Sequence, residues 1–223
     1  MHIVLLGPPG AGKGSLASLC HSRLGVPHLS TGEIFRREIA RKSPLGRRVA
    51  RYVTNGRLVP DALVVEVMAS HLRQQPRRRG FVLDGFPRTR RQAEGLARVL
   101  ERWGRPLDGA VYLTSPEDLL VRRLSGRRVC PRCGANYHLR TMRPKRLGLC
   151  DQCGTPLVTR KDDQPRTIRK RLAIDRKACK PLIDYYRKGK LLYRVNGAGY
   201  VGTVFVRMRK LFRRQGWLRR GRA

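Results

Sequence analysis

Short apolar segments alternate with longer amphipathic segments along most of this chain. The short runs are bounded by turn-forming residues and predict five β-strands, at residues 3–6, 27–29, 81–83, 110–113 and 191–195. Apolar residues recur at helical spacing in the other segments, which predicts helices at residues 15–24, 31–41, 61–73, 90–103, 116–125, 167–187 and 201–215. Strands that alternate with helices in this way predict an α/β fold, with about five parallel strands flanked by helices.

Two regions interrupt this alternation. Residues 30–59 have helical patterns with no strand between them, and residues 126–163 hold four cysteines and little apolar periodicity. We therefore expect both regions to be insertions into a single core formed by residues 1–29, 60–125 and 164–223. The only compositionally biased segment is the arginine-rich end, residues 207–222.

The composition narrows the class of protein and of partner. The 223 residues are 40% hydrophobic and 29% charged, as is typical of a folded domain. Fifty Lys and Arg residues against fifteen Asp and Glu residues leave a net charge of +35, which indicates anionic partners. No segment approaches the roughly 18 to 20 apolar residues that a membrane span needs, and the apolar start is too short for a secretion signal. These features predict a cytoplasmic protein with no membrane partner.

A glycine-rich loop, Gly7 to Ser15, directly follows the first predicted strand and opens a helix. Glycines allow main-chain N–H groups and the helix N-terminus to surround an anion, while Lys13 reaches the β and γ phosphates of a nucleotide. The generic pattern has Ser or Thr after the lysine, whereas Gly14 stands there and the hydroxyl comes one residue later. The order of strand, loop and helix makes this segment a candidate phosphate-binding loop.

A carboxylate ends the third predicted strand, at Asp84. Acidic residues are scarce in this chain, and one at the end of a buried strand is suitably placed to hold Mg²⁺ or its water ligands beside phosphates. A role as a helix cap or turn former is the alternative interpretation of this residue.

Two Cys-x-x-Cys units have the spacing of a tetrahedral zinc site. Sixteen residues separate the two units, which consist of Cys130, Cys133, Cys150 and Cys153. Because all four ligand positions are filled by sulfur, we expect a structural Zn²⁺; iron or a pair of disulfides is the alternative. His138 lies near the units and is expected to pack or lie at the surface. Cys20 and Cys179 are predicted to be buried thiols.

Four motifs together resemble the adenylate kinase family in its long-lid bacterial form. They are the loop at residues 7–15, Ser30-Thr31-Gly32-Glu33, Leu83-Asp84-Gly85-Phe86-Pro87-Arg88 and Arg160-Lys161-Asp162-Asp163. The resemblance covers essentially the whole chain and implies a P-loop NTPase-type core, an AMP-binding lobe at residues 30–59 and a zinc-binding lid at residues 126–163. It also implies a monomer that transfers a phosphoryl group reversibly from Mg-ATP to AMP, giving two ADP.

The resemblance also implies the roles of individual residues. Those implied in catalysis are Lys13, Asp84, Arg88, Arg123, Arg127, Arg160 and Arg171. Those implied to bind ATP are Gly10, Ala11, Gly12, Lys13, Gly14, Ser15, Arg127, Asn136, Tyr137 and Gly199. Those implied to bind AMP are Thr31, Arg36, Arg57, Leu58, Val59, Gly85, Phe86, Pro87, Arg88, Gln92, Arg160 and Arg171. Arginine suits such a site because its planar fork pairs with phosphate oxygens and stays charged.

Three positions depart from the commonest family pattern: Glu33 replaces Asp, Arg91 replaces a frequent Pro, and Asn196 replaces a frequent Asp. UMP/CMP kinases are the alternative, but they typically have Ala at the position of Thr31, so Thr31 and the amide of Gln92 favour AMP. A second alternative is a basic nucleic-acid-binding protein. Aromatic residues are too sparse for base stacking, so we expect no specific nucleic acid and only weak, salt-sensitive binding of polyanions.

Overall fold

The computed structural model of the chain describes residues 1–53, 59–76, 79–159 and 163–218, with the side chains of Val53, Pro165, Arg166 and Arg171 also outside the description. The strands are β1 (His2–Leu6), β2 (His28–Ser30), β3 (Phe81–Asp84), β4 (Gly109–Thr114), β5 (Arg127–Val129), β6 (Asn136–His138) and β7 (Leu192–Asn196). The helices are α1 (Lys13–Leu24), α2 (Thr31–Ala40), α3 (Pro44–Val53), α4 (Asp61–Arg73), α5 (Arg90–Arg102), α6 (Glu117–Ser125), α7 (Pro165–Lys188) and α8 (Val201–Arg214).

Five strands form one parallel sheet in the order β2-β3-β1-β4-β7. Their apolar runs are buried on both faces, as a parallel sheet covered by helices requires; Val4 in β1 and Val82 in β3 are fully buried. The predicted α/β fold and its five parallel strands are therefore confirmed. The strand order reverses at β1, because β3 lies on one side of this strand and β4 on the other. Ligand-binding crevices form at such a point of reversal in parallel sheets.

Two apolar clusters cover the two faces of the sheet. One joins α1, α6 and α8 to the sheet and includes Leu16 and Met208. The other joins α4 and α5 and includes Met68 and Leu96. Helix α7 contributes to both clusters, because its first half packs against the former and its second half against the latter. No helix in the described part of the chain is long and apolar enough to cross a membrane.

The two regions predicted as insertions have the structures α2–α3 and β5–β6. The β5–β6 pair is antiparallel and separate from the main sheet, and its three-residue strands are too short to give a sequence pattern. Helix α1 begins at Lys13 rather than at residue 15, because Gly12 adopts a left-handed conformation and starts the helix directly after the loop. Helix α7 begins at Pro165, which suits the first turn because proline lacks an N–H.

A polar cluster holds α2, α3 and α4 together. Glu38 accepts a hydrogen bond from the Ser43 hydroxyl, and its other oxygen lies 3.1 Å from His71 Nε2. The Ser43 hydroxyl also accepts a 2.9 Å bond from the Gly46 N–H. The hydrogen bond from Ser43 lowers the pKa of Glu38, with a smaller contribution from His71. Helices α2 and α3 are thus held to α4 by the buried carboxylate of Glu38.

Gly46 brings α3 so close to α2 that no larger residue fits. A Cβ atom at Gly46 would lie 2.0 Å from the main-chain oxygen of Glu38. We expect Gly46→Ala to lower the free energy of unfolding by about 1 to 3 kcal/mol, the usual cost of overpacking. Gly202→Ala is the matched control, because nothing lies within 4 Å of a Cβ there. Alanine favours a helix over glycine, so we expect a change between zero and about 1 kcal/mol of stabilisation. Urea denaturation measures both, and equal stabilities for the two variants would contradict the close packing.

Candidate functional site

The glycine loop between β1 and α1 has the geometry of an anion cradle. Gly7, Gly10 and Gly12 all have positive φ angles, of 138°, 82° and 92°, which only glycine adopts readily. They bend the chain so that α1 starts at Lys13 and its first N–H groups, without partners in the helix, face the loop. The Lys13 ammonium donates to the carbonyls of Gly7 and Pro8, at 2.5 and 3.0 Å.

Asp84 lies beside this loop because β3 pairs with β1 in parallel, with Leu5 opposite Asp84. Its Oδ2 would lie 3.2 Å from a Cβ at Gly14, so a side chain after Lys13 would crowd the carboxylate. The glycine at this position leaves room for Asp84 beside the loop. Burial lowers the pKa of Lys13, and the Asp84 carboxylate opposes that shift. A buried cation and a carboxylate thus face the same anion site.

Arg88 lies next to the loop in the segment after β3. Its Nε donates to the Gly85 carbonyl at 2.9 Å, and its main-chain N–H donates to Gln92 Oε1 at 2.8 Å. The Gln92 amide also donates to Asp61 Oδ1 at 2.7 Å, while the Thr89 hydroxyl donates to Asp61 Oδ2 at 2.9 Å. Asp61 and Gln92 therefore fix the turn that carries Arg88.

Two residues predicted to contact AMP are engaged elsewhere. Gln92 is only 6% exposed, so just its second N–H and second lone pair are left for a base. The Phe86 side chain is 1% exposed and lies in the apolar cluster, so only its main chain can face the site. The predicted contacts of Gln92 and Phe86 with AMP stay predictions, limited to these exposed atoms.

Two of the other predicted AMP residues, Thr31 and Arg36, belong to α2. Thr31 is buried at the start of the helix, with Oγ1 3.5 Å from the main-chain oxygen of Asp84. The Arg36 guanidinium lies beside Gly32 of its own helix and beside Gly134 of the first cysteine loop. Val59 is half-buried against the core. Arg57 and Leu58 lie outside the described residues.

Arg127 makes a two-bond ion pair with Asp163. Its Nε and a terminal nitrogen lie 2.7 and 2.6 Å from the two carboxylate oxygens, and Asp163 is 2% exposed. This pair links β5 to the segment before α7. Arg160 and the side chain of Arg171 lie outside the described part of the structure. Sequence reasoning did not assign a role to Asp163, although it belongs to the motif Arg160 to Asp163.

Arg123 faces the loop between β7 and α8 rather than open solvent. It donates to the carbonyls of Gly197 and Gly199, at 3.0 and 2.6 Å, and lies 3.5 Å from the carbonyl of Gly10. It therefore joins the loop that carries Gly199 to the phosphate loop. Burial lowers the pKa of Arg123 from its ordinary value.

The four cysteines converge on one point. Their sulfur atoms all lie within 4.8 Å of one another, and the cysteines are not joined by disulfides. The two Cys-x-x-Cys units have the same main-chain hydrogen bonds. In the first, Cys130 N–H donates to the Ala135 carbonyl and Gly134 N–H to the Cys130 carbonyl. In the second, Cys150 N–H donates to the Thr155 carbonyl and Gly154 N–H to the Cys150 carbonyl. Hydrogen bonding with Thr155 lowers the pKa of Cys153 to about 6. Four sulfurs in this arrangement can hold a tetrahedral metal ion.

Tyr137 belongs to the cysteine cluster and does not border an open site. It is 8% exposed, and its hydroxyl accepts a 2.8 Å bond from Asp151 N–H and lies 3.5 Å from Cys150 Sγ. Its predicted contact with ATP stays a prediction, and Asn136 beside it is exposed. His138 packs against Gly126. Cys20 is fully buried, as predicted, whereas Cys179 is only partly buried, so the prediction of a buried thiol is wrong there.

Comparison with known proteins identifies relatives over almost the whole chain. The family model described as adenylate kinase matches residues 5–191. The adenylate kinase of Clostridium tetani (strain Massachusetts / E88) is 44% identical over 205 residues, covering 92% of this chain and 95% of the relative. The adenylate kinase of Clostridium botulinum (strain Langeland) is 45% identical over the same coverage. That of Clostridium perfringens (strain SM101) is 42% identical over 211 residues, covering 95% and 98%.

Proposed function

The chain belongs to the adenylate kinase family, and on that premise we propose that the phosphate loop and the cations around it carry its reaction. As a member of this family it is a nucleoside monophosphate kinase that uses ATP, AMP and ADP, transferring a phosphoryl group from Mg-ATP to AMP. The observation that carries the proposal is the meeting of Lys13, Asp84 and Arg88 at the carboxyl ends of β1 and β3.

The proposed ATP side consists of the phosphate loop, Lys13 and Arg123, with Arg127 approaching from β5. Lys13 exchanges the carbonyls of Gly7 and Pro8 for phosphate oxygens, at little cost because its ammonium is already desolvated there. The loop that holds Gly199 borders the base. The proposed AMP side consists of Thr31, Arg36, Val59 and the segment from Gly85 to Arg88.

The phosphoryl group transfers between these two sides. Its charge is spread over its oxygens in the transition state, so the protein contributes position and positive charge rather than covalent chemistry. Arg88 stands at the boundary between the two sides, where its turn is fixed by Gln92 and Asp61. Exclusion of water prevents hydrolysis of the phosphoryl group, a role we assign to closure of residues 126–163 over the core. Arg160 and Arg171 are proposed to reach the phosphates from that side.

The residues around Asp84 fit a magnesium ion. Mg²⁺ prefers oxygen ligands and is usually bound by one or two carboxylates together with substrate phosphates and water. Asp84 offers such a carboxylate directly beside Gly14 of the phosphate loop. When bound, Mg²⁺ would neutralise charge on the β and γ phosphates.

We also propose that the four-cysteine cluster holds a structural Zn²⁺. Four thiolates fill a tetrahedral shell and leave no position for water, which suits a structural and not a catalytic ion. Among the described residues, the apolar cluster that contains Cys130, Cys150 and Cys153 adds only Ala135, Tyr137 and Leu157, so metal binding has to supply much of the stability. Free thiols of this kind persist in a reducing compartment, which supports a cytoplasmic location.

We propose that the excess positive charge gives only nonspecific binding of polyanions and no specific nucleic-acid function. A groove of about 270 Å³ beside β7 is lined by Arg194, Arg207, Lys210 and Arg214, with no carboxylate among its lining residues. We propose that such surfaces bind polyanions weakly and lose them between roughly 50 and 200 mM salt. We propose that the active protein is a monomer, because the ATP and AMP sides are built from the same chain.

An assay of ADP formation with AMP, CMP, UMP and GMP offered side by side tests the substrate. We expect kcat/KM for AMP to be at least about tenfold higher than for any other monophosphate. A pocket that hydrogen-bonds the adenine edge leaves its own polar groups unpaired when another base binds, which weakens the binding of that base. The same assay at roughly 200 mM salt should show AMP turnover that survives while polyanion binding fades. Equal use of CMP or UMP would contradict the assignment of AMP.

Removal of the central cations tests their roles. We expect Lys13→Met and Arg88→Met each to lower kcat by at least about a hundredfold, because each removes a charge that stabilises the transferring phosphoryl group. Arg91→Met is the matched control, since Arg91 is an exposed arginine three residues after Arg88. Steady-state rates and thermal melts should show a loss of rate without unfolding in the first two variants only. A near-normal rate in either would remove the role given to that residue.

Metal analysis tests the cysteine cluster. We expect about one equivalent of zinc in the purified protein, and Cys150→Ser to lower both the zinc content and the melting temperature while some catalysis remains. Cys179→Ser, which changes a cysteine on α7 outside the cluster, should leave the zinc content unchanged. Less than about half an equivalent in the unmutated protein would refute the zinc site.

A further inference from the structure

Two arginines hold four successive carbonyls where β7 meets the loop before α8. These carbonyls belong to Asn196, the last residue of β7, and to Gly197, Ala198 and Gly199 of the loop. Arg207 of α8 donates to the carbonyls of Asn196 and Ala198, at 3.0 and 2.5 Å. Arg123 of α6 donates to the other two carbonyls, those of Gly197 and Gly199. Alternate carbonyls thus point to opposite sides, and each side has one guanidinium.

Main-chain N–H groups of the same loop are also bound. Gly197 N–H donates to the Thr114 carbonyl at 2.7 Å, and Ala198 N–H donates to the side-chain oxygen of Asn196 at 2.8 Å. Gly199 has a φ angle of 105°. A free loop that contains glycines samples many conformations, so fixing this one costs conformational entropy. These bonds select one conformation of a segment that otherwise has many.

We propose that Arg207 is a positioning residue for ATP, which sets the conformation of the loop that borders the adenine. The inference rests on the proposed ATP side, because Arg123 connects this loop to Gly10 of the phosphate loop. Arg207 is exposed and lines the groove beside β7 with Arg194 and Arg214, so we expect it to act on the site through the loop. A loop already ordered before binding saves the entropy that ATP would otherwise have to offset.

The groove beside β7 supplies a close control for charge. Arg214 lines the same groove from the same helix, two turns after Arg207, and no contact with the loop is found for it. Each of the two variants, Arg207→Met and Arg214→Met, therefore removes one positive charge from the same groove and replaces arginine by methionine. Only the former removes the bonds to Asn196 and Ala198.

The first measurement is ATP affinity by titration calorimetry without AMP, followed by steady-state kinetics. We expect Arg207→Met to weaken ATP binding and to raise KM for ATP by about five- to tenfold, from the loss of two hydrogen bonds made by a charged group. KM for AMP and kcat should stay within about twofold of the unmutated values. The substitution should weaken ATP binding equally in the ground state and in the transition state, which raises KM for ATP alone. Arg207→Lys, which keeps a charged donor, should give an intermediate ATP affinity, and Arg214→Met should match the unmutated protein.

Inhibition by inorganic tripolyphosphate distinguishes a changed loop conformation from a general loss of phosphate binding. It has no base, so its inhibition constant against ATP should be the same in Arg207→Met and the unmutated protein. An unchanged ATP affinity in Arg207→Met, an equal loss in Arg214→Met, or an equal loss of tripolyphosphate binding would each overturn the inference. If the unmutated protein binds ATP but forms no ADP from AMP, the proposed function fails, while the comparison of ATP affinities still decides the role of Arg207.

Discussion

The parallel pairing of β1 with β3 is the constraint on which the site depends. It brings the end of β3 next to the loop that follows β1, so Asp84 faces Gly14 and Lys13 although about seventy residues separate them. The Asp84 carboxylate opposes the effect of burial on the pKa of Lys13, which supports a charged lysine in a desolvated place. The segment after β3 then carries Arg88 to the same point, so a single strand pair assembles the anion site.

Some of the few carboxylates of this very basic chain hold residues of the proposed site or of the helices beside it. Asp61 fixes Gln92 and, through it, the turn of Arg88. Asp163 holds Arg127 with two bonds, and Glu38 joins the inserted helices to His71 of α4. Because the chain has only fifteen acidic residues against fifty basic ones, positively charged side chains repel one another over much of the surface. Order at the site therefore comes from a small number of paired, mostly buried carboxylates rather than from a balanced surface.

The two regions predicted to be insertions are stabilised by different means because they differ in apolar content. Helices α2 and α3 contribute Ile34 and Val49 to the apolar cluster of the core and add the buried Glu38 cluster. The β5–β6 region has only a small apolar cluster of its own, and its sulfur atoms converge instead. Where a segment cannot bury enough apolar surface, a metal ion is the usual substitute.

The sequence by itself determined the parts of this protein that local spacing encodes. Apolar periodicity predicted the five parallel strands and most helices, and the phosphate loop, Asp84 and the two cysteine units stood out from fixed spacing between neighbours. It did not predict β5 and β6, whose three-residue strands are too short for a period. Tertiary structure alone decided the orientation of Gln92 toward Asp61, the burial of Tyr137 among the cysteines and the two arginines on the loop after β7. Most of these contacts join residues far apart in the chain, and such contacts leave no pattern in the residues nearby, because packing and not sequence distance brings the partners together.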